Sequence, residues 1–338
     1  MGARIKDVAE RAGVSVTSVS RVLNGEKYIS QSILDKVNRA IKELNYSPSQ
    51  IARSLKKQKT DTIGVIVPDF TNYFCSTILS SIEESASEYG YNLIVCNIAE
   101  NLDKELKYLH AVQEMRVDGI IIMHQKVDER ILSFIESASM PILFSCVRSP
   151  LPDRFSVLIN DYQAARDATE YLISLGHRRI AFLGGDLEDV TSGQSRYQGY
   201  LDALNQSGIP QNSDFIRFGN YKQESGRLMM QEILEQGQGE RPTVVFAASD
   251  DMAVGAMNCI LDYGLRVPED ISVMGFDDSL IARAVRPMLT SVHQPARELG
   301  RTSLEYLHSL IEDRGSRPDS KEIYLPHRIM ERASCRRI

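Results

Sequence analysis

The chain has 338 residues, 43% of them hydrophobic and 25% charged, with a net charge of −6. This is ordinary globular usage, with material for a core and length for two or three folding units; the longest apolar runs, Ile63–Val67 and Gly119–Met123, are far too short to span a bilayer. The charge divides unevenly: residues 1–62 hold twelve Lys/Arg against six Asp/Glu, a net +6, so the remainder carries −12. A basic head on an acidic body points to a polyanionic partner for the head alone. The N-terminus opens on Arg4, Lys6, Asp7 and Glu10 without an apolar leader, so a cytoplasmic location is expected. Five cysteines stand singly, with no metal or redox spacing, which suits a reducing compartment.

In the head, Ile5, Val8, Ala9 and Ala12 follow helical spacing, and Gly13 breaks the helix. Ser15 is a good N-cap for a second short helix with Val19, Val22 and Leu23 on its inner face. Asn24-Gly25 ends that helix. A third runs from about Gln31 to Leu44, stopped by Tyr46-Ser47-Pro48. Two short helices around a glycine turn, braced by a third, describe a helix-turn-helix. The second would be the recognition helix, with Val16, Thr17, Ser20 and Arg21 facing out toward base edges. On pattern alone, a small helical bundle that binds protein stays open.

The stretches "IKDVAERAGVSVTSVSRVLNG" and "IKELNYSPSQIARSLK" resemble the head of the lactose-repressor/purine-repressor family. The resemblance extends through "RVDGIII", "SLGHRRIAFLGG" and "GLRVPEDISVMGFDD", essentially the whole chain. It implies that Val16, Thr17 and Arg21 read bases and that Ser15, Thr17 and Ser20 meet phosphates. Val16 departs from the polar residues common at its position; it can make only apolar contact, for instance with a thymine methyl, so no family operator transfers. The resemblance also makes residues 48–61 a hinge. Pro48 opens about two helical turns containing Ala52, with Leu55 as a wedge between central base steps in the minor groove, and Lys56, Lys57 and Lys59 follow as a basic linker. Without the resemblance, Leu55 would read as an ordinary core leucine.

The body alternates strands and helices. Strand Ile63–Val67, helix Cys75–Tyr89, strand Asn92–Cys96, helix Asp103–Met115, strand Gly119–Met123, helix Glu129–Ser137 and strand Pro141–Ser145 read as a doubly wound parallel lobe. The pattern restarts at strand Arg179–Leu183. It continues with helix Gln194–Ser207, strand Asp214–Phe218, helix Gln223–Gln236, strand Thr243–Ala247, helix Met252–Tyr263 and strand Ile271–Phe276. Two such lobes imply a cleft, with ligands outside the carboxyl ends of the strands. The resemblance adds crossovers, giving a head over 1–47, a hinge over 48–61, a first lobe over 62–161 and 291–322, and a second over 162–290 and 323–338. The expected fold class is therefore an all-α helix-turn-helix head plus an α/β body resembling a periplasmic-binding-protein fold.

Catalytic and metal chemistry find little support. Gly184-Gly185-Asp186 follows a strand but lacks both phosphate-loop signatures. In Ser249-Asp250-Asp251 and Asp277-Asp278, only one carboxylate of each pair can point into a strand-end cleft. His177 reads as structural, and His124 and His293 stand alone. No His/Cys/Asp cluster has metal spacing, so neither metal nor cofactor is expected, nor enzymatic activity. In the second lobe, Asp277 ends a strand and Arg196 lies on the first helix after another. Tyr73 and Phe74 follow the first strand of the other lobe, Asp161 lies at the first crossover, and Tyr221 follows Asp214–Phe218. An acceptor carboxylate, a forked donor and aromatic walls suit a small hydroxylated ring. The resemblance places effector contacts at Phe74, Ser192, Arg196, Tyr221 and Asp277, and extends to Tyr73 and Asp161. Val190 stands where the purine-binding relative has an arginine, which disfavours a purine. A sugar or sugar derivative is expected, with a phosphorylated or acidic form open because Arg196 can pair an anion. The bland alternative is that Asp277 and Arg196 brace the lobe as an ion pair.

The expected protein is a transcriptional regulator, a repressor by type, that binds double-stranded palindromic operator DNA as a homodimer or tetramer. A small-molecule effector controls it, and no membrane partner is expected. The carboxyl-terminal "CRRI" shows no heptads of a tetramerisation tail. A two-lobed solute receptor or a sugar-processing enzyme are the readings without DNA.

Overall fold

The computed structural model describes residues 3–23, 28–46, 59–99, 101–124, 126, 128–236, 241–312 and 320–338, which divide into two compact units, 1–61 and 62–338. In the first unit, α1 (Ile5–Ala12), α2 (Val16–Leu23) and α3 (Gln31–Glu43) enclose a core of Val8, Ala9, Ala12, Val19, Val37 and Ala40. Gly13 adopts φ 65°, the left-handed turn that lets α1 stop and α2 start at once. The Ser18 N–H donates to Ser15 Oγ at 3.0 Å, so Ser15 caps α2 as its sequence suggests. Arg11 Nε donates to Glu43 Oε2 at 2.6 Å, linking α1 to α3 across the surface.

The second unit holds two six-stranded sheets. The first lobe runs β1 (Thr62–Val67), α4 (Tyr73–Tyr89), β2 (Asn92–Asn97), α5 (Leu102–Glu114), β3 (Gly119–Ile122), α6 (Glu129–Ser137), β4 (Ile142–Ser145) and β5 (Phe155–Ile159). The chain then crosses into α7 (Asp161–Ser174), β6 (Ile180–Gly184), a π-helical turn at Val190–Gln194, α8 (Ser195–Gln206), β7 (Ile216–Phe218), α9 (Gln223–Gln236), β8 (Val244–Ala247), α10 (Asp250–Asp262), β9 (Ser272–Asp277), α11 (Leu280–Ala284) and β10 (Thr290–His293). It returns through α12 (Ala296–Ile311) and β11 (Glu322–Leu325), and ends beyond β12 (Arg328–Met330). Strand order is β11-β5-β4-β3-β1-β2 in one sheet and β12-β10-β9-β8-β6-β7 in the other. Every pairing is parallel except β10 with β12. Central strands such as β3, β4 and β8 are buried at every position, as parallel strands covered on both faces must be.

The late crossovers differ from the expected boundaries. β10 pairs with β9 through Thr290–Met274 and Val292–Phe276, so residues 290–293 belong to the second sheet and not to the first. β11 pairs with β5 through Ile323–Val157, so residues 322–325 complete the first sheet, and the final passage to the second begins only at Arg328. The backbone pairing decides this, because both segments are too short to carry a pattern of their own. Of the hinge expected over residues 48–61, residues 48–58, with Ala52, Leu55 and Lys56, lie outside the described residues, as does the Asn24-Gly25 turn.

Candidate DNA-reading helix and effector cleft

On α2, the residues assigned to DNA fall on one face. Val16, Thr17 and Arg21 are exposed, as is the capping Ser15, and Ser20 is half-buried one turn beyond Val16. The opposite face turns Val19 into the core, with Val22 and Leu23 packed beside it. The helix thus presents a hydroxyl, a fork-shaped cation and an apolar branch together, which is the side-chain set that base edges and phosphates require.

Each sheet reverses its winding beside its first strand, between β1 and β3 and between β6 and β8. Crevices form outside the carboxyl ends of strands at such switch points. A cavity of about 480 Å³ lies there, walled by the loops after β1, β3 and β4 from one lobe and after β6, β7, β8 and β9 from the other. Of the residues assigned to the effector, Phe74, Ser192, Arg196, Tyr221 and Asp277 line it. Tyr73 opens α4 with 45% exposure and is not part of the wall. Asp161 lies behind the wall, 5% exposed.

Arg196 is fixed from behind. Its Nε and Nη2 both reach Asp161 Oδ1 at 2.7 Å, Nη1 donates to the Ala248 carbonyl at 2.6 Å, and the guanidinium sits 3.7 Å from the centre of the Phe276 ring. The bracing pair is therefore Arg196 with Asp161, not Arg196 with Asp277. Burial pushes Asp161 up from the usual carboxylate range against the pull of Arg196. Asp277 accepts from Gln294 Nε2 at 2.7 Å. Burial raises its carboxyl well above the usual range, and the nearby Arg196 only partly offsets this. Its backbone is strained, φ 111°, and Tyr221 and Cys146 at other strand ends of the cleft also have positive φ, 63° and 57°. Such strain concentrates where a fold must aim particular groups.

The cleft wall of the second lobe is a linked set. Tyr221 Oη donates to Asp189 Oδ2 at 3.0 Å, the Ser192 N–H donates to Asp189 Oδ1 at 2.9 Å, and Ser249 Oγ donates to the Tyr221 carbonyl at 3.0 Å. Gly185 allows this: a Cβ there would fall 1.9 Å from Tyr221 Cζ, and one on Gly184, the last residue of β6, 2.7 Å from the Phe218 ring, so the glycine pair serves ring packing. The π-helical turn that carries Ser192 leads directly into α8 and Arg196. Val190, in the same turn, is 45% exposed and not in the wall.

Sequence reasoning missed several wall residues, among them Asp69, His124, Lys126, Asp189, Lys222, Asp251 and Gln294. Asp251 and Asp277 line the cleft while Asp250 and Asp278 do not, so one carboxylate of each pair does point in. His124 and His293 do not stand alone: His124 Nδ1 meets Glu105 Oε2 at 2.8 Å, and His293 Nδ1 meets Asp278 Oδ2 at 3.0 Å. His177 is fully buried between Thr243 Oγ1 and the Arg336 carbonyl, a structural histidine as expected. Contacts also cross the cleft. Lys126 pairs with Asp186 and, at 3.0 Å, with Glu188; Lys222 lies 4.0 Å from Asp69; and the Arg148 N–H donates to Thr191 Oγ1 at 2.9 Å. Among the described residues no group of three or more His, Cys, Asp or Glu side chains could hold a metal, and no helix is long and apolar enough to cross a membrane.

Comparison with known proteins agrees with this architecture. Residues 4–49 match the model of bacterial regulatory proteins, lacI family, and residues 169–335 match a periplasmic binding protein-like domain. Catabolite control protein A of Priestia megaterium is 38% identical over 336 residues, covering 99% of this chain and 100% of its own. The HTH-type transcriptional repressor PurR of Photorhabdus laumondii subsp. laumondii is 39% identical over 336 residues, covering 98% and 96%. The lac repressor dimer bound to operator and the anti-inducer ONPF superposes with a TM-score of 0.89 at 30% identity, over 99% of this chain and 100% of that one. The transcriptional regulator CelR in complex with cellobiose gives 0.75 at 30% identity, over 98% and 99%. The chain belongs to the lacI family of bacterial regulatory proteins: it is a DNA-binding transcriptional regulator with a small-molecule-responsive body.

Proposed function

We propose that the protein is a cytoplasmic homodimeric repressor that holds a palindromic operator through α2 and changes its grip when a neutral sugar or sugar derivative occupies the cleft. The observation that carries the effector reading is the state of Arg196. Both the carboxylate and the carbonyl it serves belong to the protein, so it offers little to an anionic ligand. Carboxylates also outnumber cations around the wall, with Asp69, Asp186, Asp189, Asp251 and Asp277 against Arg196, Lys126 and Lys222. An acceptor-rich wall with the aromatic faces of Phe74 and Tyr221 favours a ring bearing several hydroxyl donors over a phosphorylated or acidic one. Leu228, Leu261, Leu280 and Met288 of the second lobe are exposed apolar residues that a second copy would cover, and the lac repressor named above is itself a dimer on its operator. Effector and operator then act on one equilibrium, so each changes the affinity for the other by the same factor.

The test takes the full chain through selection on random DNA, then measures binding of the selected sequence from 50 to 200 mM salt with and without neutral sugars and their phosphates. A palindromic motif is expected. Affinity should fall with salt at a log–log slope of about −0.9 per neutralised phosphate, and neutral sugars should shift it more than phosphates do. No enriched motif would overturn the DNA reading, and a response to phosphorylated sugars alone would overturn the effector class.

A further inference from the structure

His124 follows β3 and lines the cleft, yet it is only 7% exposed. Its Nδ1 meets Glu105 Oε2 at 2.8 Å. Glu105 sits in the first turn of α5 and is fully buried, and its second oxygen, Oε1, has no hydrogen-bond partner. Among the described residues His124 makes no other hydrogen bond, and its ring forms part of the cleft wall.

Glu105 holds the ring by its Nδ1 edge, so the Nε2 edge is the one left for a ligand.

We propose that the Glu105–His124 pair is a recognition element of the first lobe, in which Glu105 positions the ring and His124 Nε2–H donates to an oxygen of the effector. The proposal rests on the cleft being the effector site and deepens that reading. Across the cavity from His124, Asp277, Asp189 and Asp251 offer acceptor oxygens. A hydroxyl satisfies both: its hydrogen goes to a second-lobe carboxylate, and its oxygen, or that of a neighbouring hydroxyl, accepts from His124. The ligand class is thus a polyhydroxylated molecule, and a ligand without an oxygen opposite His124 is selected against.

The experiment uses the full-length protein and a probe panel of D-ribose, D-glucose, D-gluconate and glucose 6-phosphate, read by titration calorimetry. His124→Phe should weaken binding of the responsive probe about tenfold, the upper end of what one hydrogen bond contributes, and His124→Gln, which keeps a donor near Nε2, should recover part of it. Because His124→Phe leaves Glu105 buried without its partner, the double variant Glu105→Leu with His124→Phe is made as well; it removes both polar groups and should fold with the same tenfold loss. Nitrogen NMR of histidine-labelled protein without any probe should show Nε2 protonated, with the signal assigned by its absence in His124→Phe. A bare Nε2, or parental affinity in both Phe variants while Asp277→Ala abolishes binding, overturns the proposal and leaves the effector site standing. If no probe binds, or if binding survives Asp277→Ala as well, the site itself falls and the proposal with it.

Discussion

Arg196 and Asp277 both face the cleft, but their surroundings give them different tasks. Asp161 leaves Arg196 no freedom, and removing one partner of a buried pair costs about 3–5 kcal/mol because the other charge is left uncompensated. Asp161→Ala is therefore expected to unfold at a much lower temperature in a thermal melt, with or without ligand. Among the described residues the Asp277 carboxyl has Gln294 as its one hydrogen-bond partner, so Asp277→Ala should melt close to the parent and lose the effector's influence on operator binding; a large fall in melting temperature with a normal response would make Asp277 structural. His177 makes a second prediction. Burial lowers it from 6.5 to about 4, so the unfolded chain takes up a proton at a pH where the folded chain does not. The stabilisation it brings is complete above pH 6.5 and is lost as the pH falls toward 4, on the order of 3 kcal/mol in all. Denaturant unfolding at pH 7.5 and 4.5 should show a smaller loss for His177→Gln than for the parent, and equal losses would refute the assignment. Asp277, Arg196 and His177 were legible in the sequence because each stands at the edge of a strong strand or helix pattern. His124 was not, because what gives it meaning is a glutamate 19 residues earlier that folding alone brings to it.

At the scale of elements, legibility followed the strength of the hydrophobic pattern. The three head helices and the strands Ile63–Val67 and Gly119–Met123 were plain. The sequence pattern does not pick out β5 or α7. β5 is a short buried run between loops, and α7 buries mainly small residues, Ala164, Ala165 and Ala168, whose contrast with polar neighbours is weak. Asp161, which both elements position, could therefore be placed at a crossover but not behind Arg196. In the head, the pattern leads to predictions of two kinds. Gly13→Ala forces a side chain into the left-handed region and should cost about 1 kcal/mol of head stability, read as loss of α-helical signal at lower temperature. Arg21→Ala should cost roughly 1–3 kcal/mol at one base position and relax preference there, whereas Lys59→Ala should weaken all sequences alike. A selection in which Arg21→Ala returns the parental motif at full information content would remove Arg21 from the reading face.

For the whole molecule, the charge asymmetry read from the sequence told which end meets DNA, but not how the lobes are held. That depends on pairs between residues far apart in the chain: Lys126 with Asp186 and Glu188, and Lys222 near Asp69. These groups are partly exposed, so each pair contributes only about 0.2–1 kcal/mol. Such weakness suits a device that must open. Strong clasps would fix the lobes regardless of ligand, whereas weak ones leave the ligand to decide between two arrangements by its differential affinity. Lys126→Ala removes both of its pairs at once and should weaken effector binding by about 2–30-fold, as a loss of about 0.4–2 kcal/mol requires. Since the effect is electrostatic and near the surface, it should shrink with salt. At 1 M ionic strength, where the screening length is about 3 Å, parent and variant should bind effector alike because the parent has lost what the variant already lacks. If the gap between them persisted unchanged at 1 M salt, Lys126 would act by touching the effector and not by holding the lobes together.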